Sequence, residues 1–355
     1  MNVLHLQPEL NKTCGVTRTI YYLAKVRNVD SIVATLGGDN IDYFLKNGIN
    51  VIKFSSLFYN KFLFPILIFE IVKIIRVNKI DIIHSHHRMF DIAARLASFF
   101  YNVKTAMSVH SIVYGNKRFS YKSEKIIAVS NSVKEHLINY FNVNKVKITV
   151  IYNFVNISMI KLNNDREQLR EELSIADKFV FGFIGRIDIK EKGIDILLKA
   201  FEKVSQKKTN VFLIIVGNGK DKEFAENFIS SKNLSAKIID ATENIWDYYN
   251  IIDVVILPSR VDPFPLVMLE AGIMKKVFIG SKVDGIAEFI MDNRNGLLFD
   301  KNNAGNLVEK MEFCLNSNNS IKRLGENLSL QVNNNFISET ILPKYINFYN
   351  NLMSL

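Results

Sequence analysis

Short apolar segments alternate with longer amphipathic segments along most of the chain. In the first half, the segments that predict strands are NVLHL, SIVATL, INVIKF, DIIHSH, KTAMSVH, KIIAVS and KITVIY. Helical patterns lie between several of them, as at Thr17–Ala24 and Met89–Phe100. Strands that are apolar on both faces are typical of a parallel sheet with helices on either side. The alternation therefore predicts an α/β fold with a doubly wound sheet.

This alternation is interrupted once, and residues 161–177 predict an interdomain linker. The segment begins irregularly and becomes a charged helix, after which KFVFGFIGR, VFLIIVG, AKIIDA, VVILPS and KVFIGS predict a second set of strands. The predicted domains are residues 1–160 and 178–335, with a C-terminal helix at 336–355 that packs back on the first domain. Two such sheets facing each other would form a cleft, with ligands at the carboxyl ends of the strands.

Composition and segment length indicate a globular, cytoplasmic protein. Of the 355 residues, 48% are apolar and 23% are charged, which excludes a disordered chain. Only Cys14 and Cys314 are present, so there is no disulfide framework or CxxC metal motif, and a reducing compartment fits best. The first residues, MNVLHLQPEL, lack the charge pattern of a signal peptide and predict a buried strand. The longest apolar stretch, Phe62–Phe69, is shorter than the roughly 20 residues that span a bilayer.

Positive charge is concentrated in the N-terminal half. Residues 1–160 contain 20 Lys and Arg against 9 Asp and Glu, whereas residues 161–355 contain 25 against 26. A basic domain favours anionic partners such as lipid headgroups or phosphorylated substrates. Signatures of nucleic-acid-binding domains are missing, so we expect no nucleic-acid partner. The segment 57–80 mixes apolar residues with Lys61, Lys73, Arg76 and Lys79, which indicates either a peripheral contact with an anionic membrane or a buried helix with one solvated edge.

The segment FIGRIDIKEKG, at 183–193, predicts a loop between a strand and a helix. Gly185 permits a tight exit from the strand, and Arg186 and Lys192 then flank the loop. Two cations close to a helix N-terminus are well suited to a diphosphate. The alternative is an ordinary solvated basic loop.

The segment LPSRVDPFPLVMLEAG, at 257–272, predicts a second strand, turn and helix. Asp262 lies in the turn, and Glu270 follows eight residues later in the helix. The first N–H groups of that helix, at Leu266 and Val267, could bind phosphate or sugar oxygens. Asp262 could instead be a simple turn former. Glu270 lies among apolar residues, so we expect its carboxylate to have a partner.

Together these segments resemble the retaining GT-B glycosyltransferases of glycosyltransferase family 4. Six sequence motifs typical of this family occur in the expected order and cover most of the chain. They are a GR…KG loop, a PS…E-G-F-G/P…E-A…G segment, a downstream G…E motif, an NG motif, and the stretches VSNSVKEHL and VIYNFVN. The residues that match are Gly185, Arg186, Lys192, Gly193, Pro258, Ser259, Phe264, Pro265, Glu270, Ala271, Gly272, Gly285, Glu288, Asn295 and Gly296. Asp262 and Pro263 depart from the pattern, because the family has Glu and Gly at these two positions.

The resemblance implies a GT-B architecture, in which two Rossmann-like domains face each other across a cleft. It also implies a nucleotide-sugar donor, for which we expect a UDP-sugar with a GDP-sugar as the alternative. Arg186 and Lys192 would stabilise the donor diphosphate as it leaves, Glu270 would hold the ribose, and Asp262 would contact the donor sugar. The backbone from Phe264 and Pro265 to Leu266 and Val267 would bind the sugar and the β-phosphate.

Residues of the N-terminal domain are also implied by the resemblance. Gly15, after the first strand, resembles the family's glycine loop near the donor phosphates, although Cys14 replaces a second glycine. His110 ends the strand TAMSVH and would be a catalytic residue, the alternative being a core or capping histidine. His84 and His86 point to one side of the strand DIIHSH and would line an acceptor pocket. They could also bind a metal, but the sequence shows no third ligand.

The chain contains no Asp-x-Asp pair to hold a divalent cation against a diphosphate, so we expect transfer without a metal or other cofactor. The predicted function is a retaining glycosyltransferase that moves a sugar to a saccharide or lipid-linked saccharide acceptor in surface polysaccharide biosynthesis. Two alternatives remain at this point: a sugar-nucleotide 2-epimerase of the same architecture, and a catalytically impaired relative that only binds the nucleotide sugar.

Overall fold

The computed structural model describes the backbone of residues 1–355 and every side chain except those of Tyr59, Lys61 and Asn318. The chain forms two compact units, each built around one sheet. Unit 1 comprises Met1–Asn153 together with Ser338–Leu355, and unit 2 comprises Phe154–Ile337. Unit 1 is therefore assembled from the two ends of the chain.

Unit 1 contains a sheet of seven parallel strands in the order β3-β2-β1-β4-β5-β6-β7. The strands are β1 Asn2–Leu6, β2 Asp30–Thr35, β3 Asn50–Lys53, β4 Ile82–Ser85, β5 Lys104–Val109, β6 Lys125–Ala128 and β7 Ile148–Val150. The central strands β1 and β4 are almost wholly buried, as their apolar sequences predict.

Helices cover this sheet. They are α1 Gly15–Ala24, α2 Ile41–Lys46, α3 Phe64–Asn78, α4 Arg88–Ser98, α5 Asn131–Asn139 and, from the C-terminus, α14 Ser338–Met353. The buried faces of α3 and α4 share one core with β1 and β2, with Leu4, Leu67, Ile71 and Phe90 among its members. Tyr349 of α14 bonds to His84 of β4, which places the C-terminal helix within unit 1.

Unit 2 contains a sheet of six parallel strands in the order β10-β9-β8-β11-β12-β13. The strands are β8 Phe179–Ile184, β9 Val211–Val216, β10 Ala236–Ile239, β11 Val254–Leu257, β12 Val277–Ser281 and β13 Leu297–Phe299. The helices are α6 Arg166–Glu172, α7 Ile194–Lys207, α8 Lys222–Ser231, α9 Ile245–Ile251, α10 Leu266–Ile273, α11 Asp284–Phe289, α12 Ala304–Asn316 and α13 Asn318–Asn335.

The stretch expected to be a linker, 161–177, lies within unit 2 and contains α6. Arg166 and Arg170 of α6 both bond to the carboxylate of Asp253, at distances of 2.9 and 3.4 Å, and Asp253 directly precedes β11. These ion pairs attach α6 to the sheet of unit 2. None of the helices in the described part of the chain is both long and apolar enough to cross a bilayer.

Candidate active site

The strand order of unit 2 places two loops side by side. In the strand order, β9 and β10 lie on one side of β8, whereas β11, β12 and β13 lie on its other side. The loops that follow β8 and β11 therefore leave the sheet at its topological switch point, where ligands of doubly wound sheets bind. These two loops are the segments 185–193 and 258–265, which carry the predicted site residues.

The loop after β8 packs closely on the loop after β11. Gly193, just before α7, has φ +67°, and a Cβ built there would lie 2.2 Å from the carbonyl oxygen of Pro258. No side chain fits that gap, which explains the glycine. Arg186 near the start of the loop is largely exposed and forms an ion pair with Glu191.

Lys192 and Asp262 join the two loops. Nζ of Lys192 lies 2.6 Å from Oδ2 of Asp262, and the hydroxyl of Ser259 donates to the same oxygen at 3.0 Å. The backbone N–H of Asp262 donates to the carboxylate of Asp284 at 2.9 Å. Asp262 is buried. Its carboxylate is therefore held by two side-chain contacts, and its backbone is held by a third contact.

Arg260 is a residue whose role the sequence did not reveal. Its guanidinium forms a bidentate pair with Asp195 of α7, at 2.8 and 2.9 Å, and its Nε donates to Asn302 at 2.7 Å. Its backbone N–H donates to the carbonyl oxygen of Glu191 at 2.6 Å. Hydrogen bonding to Asp195 raises the pKa of Arg260 further above its ordinary value. Arg260 thus fixes the loop that carries Arg186 and Lys192 against the loop that carries Asp262.

Glu270 has the partner that its apolar surroundings predicted. The hydroxyl of Tyr249, in α9, donates to Oε2 of Glu270 at 2.7 Å, and both residues are buried. The sequence did not single out Tyr249. The only available signal was the run of aromatic residues in IWDYYNII, which does not show which ring meets Glu270.

The N-terminus of α10 carries the remaining predicted donor contacts. Pro265 is the N-cap residue, and no side chain caps the helix. Leu266 and Val267, in the first turn, are half-buried. Phe264 is buried against Phe289 and Phe336, with ring centroids 5.7 and 5.6 Å apart. Because the Phe264 ring belongs to the core, this segment could bind a ligand mainly through its backbone.

The switch point of the unit 1 sheet lies between β1 and β4, and histidines are concentrated there. His5 pairs with His84 in the register of the two strands, and His86 follows β4 directly. His110 directly follows β5, and Gly15 is the first residue of α1. The structure thus brings His84, His86 and His110 together, and it adds His5, which the sequence analysis missed.

His84 is fully buried, and both of its ring nitrogens are engaged within unit 1. Nδ1 lies 2.6 Å from the hydroxyl of Tyr349, and Nε2 lies 2.8 Å from the hydroxyl of Ser108. A contact between His84 and an acceptor would require one of these bonds to break. The acceptor role that the sequence predicts for His84 is not visible in this arrangement.

His5, His84 and His86 also form a group of three buried imidazoles whose ligand atoms lie within 4.8 Å of one another. The sequence showed no third ligand beside His84 and His86; the structure places His5 beside them, because its strand pairs with β4 although His5 lies 79 residues earlier than His84 in the chain. Burial is the main cause that lowers the pKa of His84 and His86 well below 6.5. The rings are accordingly neutral at pH 7, as a hydrogen-bonded cluster and a metal site both require.

Comparison with known families matches both halves of the chain. Residues 14–159 match the model of Glycosyltransferase Family 4, and residues 165–330 match the model of Glycosyl transferases group 1. The chain belongs to this glycosyltransferase family. It is a nucleotide-sugar-dependent transferase, so the predictions of family and of enzyme class are confirmed.

Related glycosyltransferases align over most of the chain. An uncharacterised glycosyltransferase of Methanocaldococcus jannaschii is 26% identical, over 93% of this chain and 92% of its own. The capsular polysaccharide biosynthesis glycosyltransferase CapM of Staphylococcus aureus is 26% identical, over 64% of this chain and 62% of its own. Both similarities support the assignment to the family.

Among solved structures, Anabaena HepE in complex with UDP-glucose has the same fold. The TM-score is 0.88 at 20% sequence identity, and the alignment covers 99% of this chain and 100% of that one. The predicted α/β fold of GT-B type is therefore confirmed. The roles of individual site residues in this glycosyltransferase remain predictions.

Proposed function

We propose that this glycosyltransferase moves a sugar from a UDP-sugar to a saccharide or lipid-linked saccharide acceptor during assembly of a surface polysaccharide. The observation that carries the proposal is that the loop with Arg186 and Lys192 packs, at the switch point of the unit 2 sheet, against the loop that leads into the N-terminus of α10. The similarity to CapM, which is named for capsular polysaccharide biosynthesis, supports the polysaccharide context. The complex of HepE with UDP-glucose supports a UDP-sugar over a GDP-sugar.

Arg186 and Lys192 would bind the donor diphosphate. In the structure each cation contacts a carboxylate, Glu191 for Arg186 and Asp262 for Lys192. The Arg186–Glu191 pair is solvent-exposed and therefore contributes little to stability, so a diphosphate could displace Glu191 at small cost. The backbone N–H groups at the start of α10 would add further donors to phosphate oxygens.

Glu270 would accept hydrogen bonds from the two ribose hydroxyls, and Tyr249 would hold the carboxylate in place for them. Asp262 would contact the donor sugar. Both side-chain hydrogen bonds that the structure gives Asp262 go to Oδ2, so Oδ1 is the oxygen directed to a sugar hydroxyl. Asp is one methylene shorter than the family's Glu. The sugar or its pose would therefore differ from the family norm.

The two cations would make a metal ion unnecessary. When the sugar leaves, negative charge develops on the diphosphate, and fixed positive groups placed there stabilise the transition state. We further propose that transfer retains the anomeric configuration by a front-face route, in which the leaving phosphate oxygen takes the proton of the acceptor hydroxyl. Asp262 is a poor candidate for a covalent nucleophile, because its carboxylate is held by Lys192 and Ser259.

A membrane contact is proposed for one surface of unit 1. Phe62 is 91% exposed and Phe69 is 67% exposed, and Ile66 between them is also exposed. These residues recur at helical spacing along the 3-10 helix Lys61–Leu63 and α3, and they are followed by the exposed cations Lys73 and Arg76. An apolar stripe beside cations fits an anionic bilayer surface. The side chain of Lys61, which the sequence adds to this stripe, lies outside the described residues.

Thermal-shift measurements with UDP-, GDP-, ADP- and dTDP-sugars test the donor assignment. We expect a UDP-sugar to raise Tm, and we expect Arg186→Ala to abolish the rise. Arg323→Ala provides the matched control, since Arg323 is exposed on α13 of the same unit. A Tm that rises with a GDP-sugar alone would overturn the choice of base. Transfer of labelled sugar from the UDP-sugar to an oligosaccharide then tests the reaction itself.

Flotation with liposomes tests the membrane contact separately. Wild-type protein should float with phosphatidylglycerol vesicles and not with phosphatidylcholine vesicles, and the double variant Phe62→Ser/Phe69→Ser should stay at the bottom. Phe313→Ser, at an exposed position of unit 2, should float like the wild type. Absence of lipid-dependent flotation of the wild type would remove the membrane contact and leave the donor assignment intact.

A further inference from the structure

Three imidazoles form a line through the interior of unit 1. Nδ1 of His5 lies 3.2 Å from Nε2 of His86, and Nδ1 of His86 lies 3.3 Å from Nε2 of His110. The ring planes are inclined by only 28° and 24°, and the centroids are 5.5 and 5.6 Å apart. In each pair the distance between the ring centroids exceeds the distance between the bonded nitrogens by about the width of one ring. The two nitrogens therefore lie on the line that joins the two centroids, and each hydrogen bond is close to linear.

Each of these rings is neutral at pH 7. Burial lowers the pKa of His5 to about 3 and that of His110 to about 4. Burial, together with the neighbouring imidazoles, lowers the pKa of His86 well below 6.5. A neutral imidazole donates through one nitrogen and accepts through the other. The three rings can therefore be linked by hydrogen bonds in only two ways. All of the N–H groups donate either in the direction from His5 to His110 or in the direction from His110 to His5.

The end of the line at His5 distinguishes the two directions. Nε2 of His5 is buried and has no hydrogen-bond partner among the residues that the structure describes. If the protons run from His110 toward His5, this nitrogen carries an N–H that donates to nothing. If they run from His5 toward His110, it carries only a lone pair. Orphaned N–H donors are rarer in protein interiors than under-satisfied acceptors, so the second direction is favoured.

We propose that His5 and His86 are positioning residues that hold the proton of His110 on Nδ1. His5 Nδ1–H donates to His86 Nε2, and His86 Nδ1–H donates to His110 Nε2. Nε2 of His110 is thereby occupied, and its remaining nitrogen is a donor. His110 then offers an N–H to an oxygen of a saccharide bound at the switch point of the unit 1 sheet and does not act as a general base. Only this last statement, on the ligand, rests on the proposed function.

His84 lies beside the line and is not part of it. Its ring packs against that of His86 at a tilt of 33°, with centroids 4.2 Å apart, while its nitrogens bond to Tyr349 and Ser108. The same contacts argue against a metal ion among His5, His84 and His86. His5 and His86 direct their facing nitrogens at each other and not at a shared third point, and a metal would have to displace the partners of His84. A bound metal is therefore an outcome that would contradict the proposal.

The tautomer of His110 can be measured in the full-length protein without any substrate. The chain has six histidines, so two-bond ¹H–¹⁵N correlation spectra of ¹⁵N-histidine-labelled protein at pH 7.5 are simple enough to assign with single variants. We expect the rings of His86 and His110 to be protonated at Nδ1 and unprotonated at Nε2. Protonation of His110 at Nε2 would overturn the proposal. So would one equivalent of zinc retained by the purified protein in elemental analysis.

The variant His5→Phe removes the donor at the start of the line. We expect the preference of His110 for the Nδ1–H form to fall roughly tenfold, the equilibrium equivalent of one hydrogen bond. His136→Gln is the matched control, because His136 bonds to the carbonyl oxygen of Val113 and lies outside the line. An unchanged His110 tautomer in folded His5→Phe would count against the proposal. If His5→Phe does not fold, the wild-type spectrum alone decides.

The same spectra separate this proposal from the proposed function. Protein that shows Nδ1–H on His110 but transfers no sugar from any nucleotide donor would refute only the proposed function. Protein that is an active UDP-sugar transferase but shows Nε2–H on His110 would refute only the proposal that His5 and His86 position the proton of His110.

Discussion

Nζ of Lys192 lies 2.6 Å from Oδ2 of Asp262, although the two residues are 70 positions apart in the sequence. The Lys192 side chain is 21% exposed and the Asp262 side chain 5% exposed, so each reduces the cost of burying the other's charge. This pair links the cation that we propose for the diphosphate to the carboxylate that we propose for the sugar. Removal of either charge should therefore disturb the position of the other group.

Lys192→Ala should lower kcat/KM by about 10²- to 10³-fold, the usual effect of removing one group that stabilises the leaving charge. Lys192→Arg should recover little, because a planar guanidinium cannot occupy the position of the ammonium against Asp262. Steady-state kinetics with the best donor of the thermal-shift screen measures both. Lys203→Ala, at an exposed position on α7, should be unaffected. Wild-type kcat/KM in Lys192→Ala would exclude the diphosphate role.

Asp262→Glu restores the residue that the family pattern has at this position. We expect the ratio of kcat/KM values between UDP-sugars to change by about tenfold or more, because the longer side chain moves the carboxylate that contacts the sugar. The affinity for UDP alone, measured by calorimetry, should stay the same. Equal changes for every UDP-sugar and for UDP would show that Asp262 has no part in choosing the sugar.

Tyr249→Phe removes the hydroxyl that bonds to Glu270 and keeps the buried ring. The Glu270 carboxylate then loses the donor that holds it in the position proposed for the ribose, so we expect binding of UDP to weaken by roughly tenfold, about the value of one hydrogen bond. Tyr248→Phe changes the preceding, half-buried residue of α9 and should bind UDP like the wild type. Isothermal titration with UDP compares the three proteins. Equal affinities would mean that Glu270 needs no support from Tyr249.

Chelation should leave the reaction unchanged. If Arg186 and Lys192 supply the positive charge at the diphosphate, then kcat after dialysis against EDTA should equal kcat before it. A loss of activity that Mn²⁺ or Mg²⁺ restores would contradict metal-independent transfer. It would direct attention to carboxylates near the donor that we have not assigned.

Acid should destabilise unit 1 through its buried histidines. The unfolded chain binds protons at these rings below about pH 6.5, whereas folded His110 and His5 bind them only near pH 4 and pH 3. The contribution of these rings to the free energy of unfolding should therefore be at its maximum above pH 6.5 and should fall as the pH decreases toward 4. His5 alone accounts for about 2 kcal/mol between pH 7 and pH 5.

Calorimetric Tm values from pH 7.5 to pH 5 measure this effect above the range in which unperturbed carboxylates titrate. His84 contacts the hydroxyls of Ser108 and Tyr349 and lies near the ring of Tyr345. Burial raises the phenol pKa of both tyrosines, so these neighbours supply no compensating charge. A Tm that stays constant down to pH 5 would show that the cluster takes up protons without unfolding.

Most of the fold could be predicted from local patterns. All seven strands expected in the first half and all five expected in the second are present, because buried parallel strands leave continuous apolar runs between helices. The short β13 was not predicted, since NGLLF has only three residues in the strand and resembles a loop. The partners of 161–177 were also missed: Asp253 attracts Arg166 and Arg170, but charge alone does not reveal that pairing.

The candidate site divides in the same manner. The sequence could single out the residues that belong to contiguous motifs in the two loops and in α10, namely Arg186, Lys192, Asp262 and Glu270. Tyr249, Arg260 and His5 act through contacts with residues that are far away in the chain, and no local pattern indicates them.

The sequence by itself determined the two doubly wound sheets, the glycosyltransferase family and the loops that carry the proposed donor-site residues, because periodicity and contiguous motifs depend only on neighbours along the chain. Only the tertiary structure decided which side chains meet across the sheets. The pairing of β1 with β4 brings His5 beside His84 and His86, and the position of α14 brings Tyr349 to His84. Strand order and register are set by packing of the whole domain, so a residue's periodicity shows which face it occupies but not which distant residue it will contact.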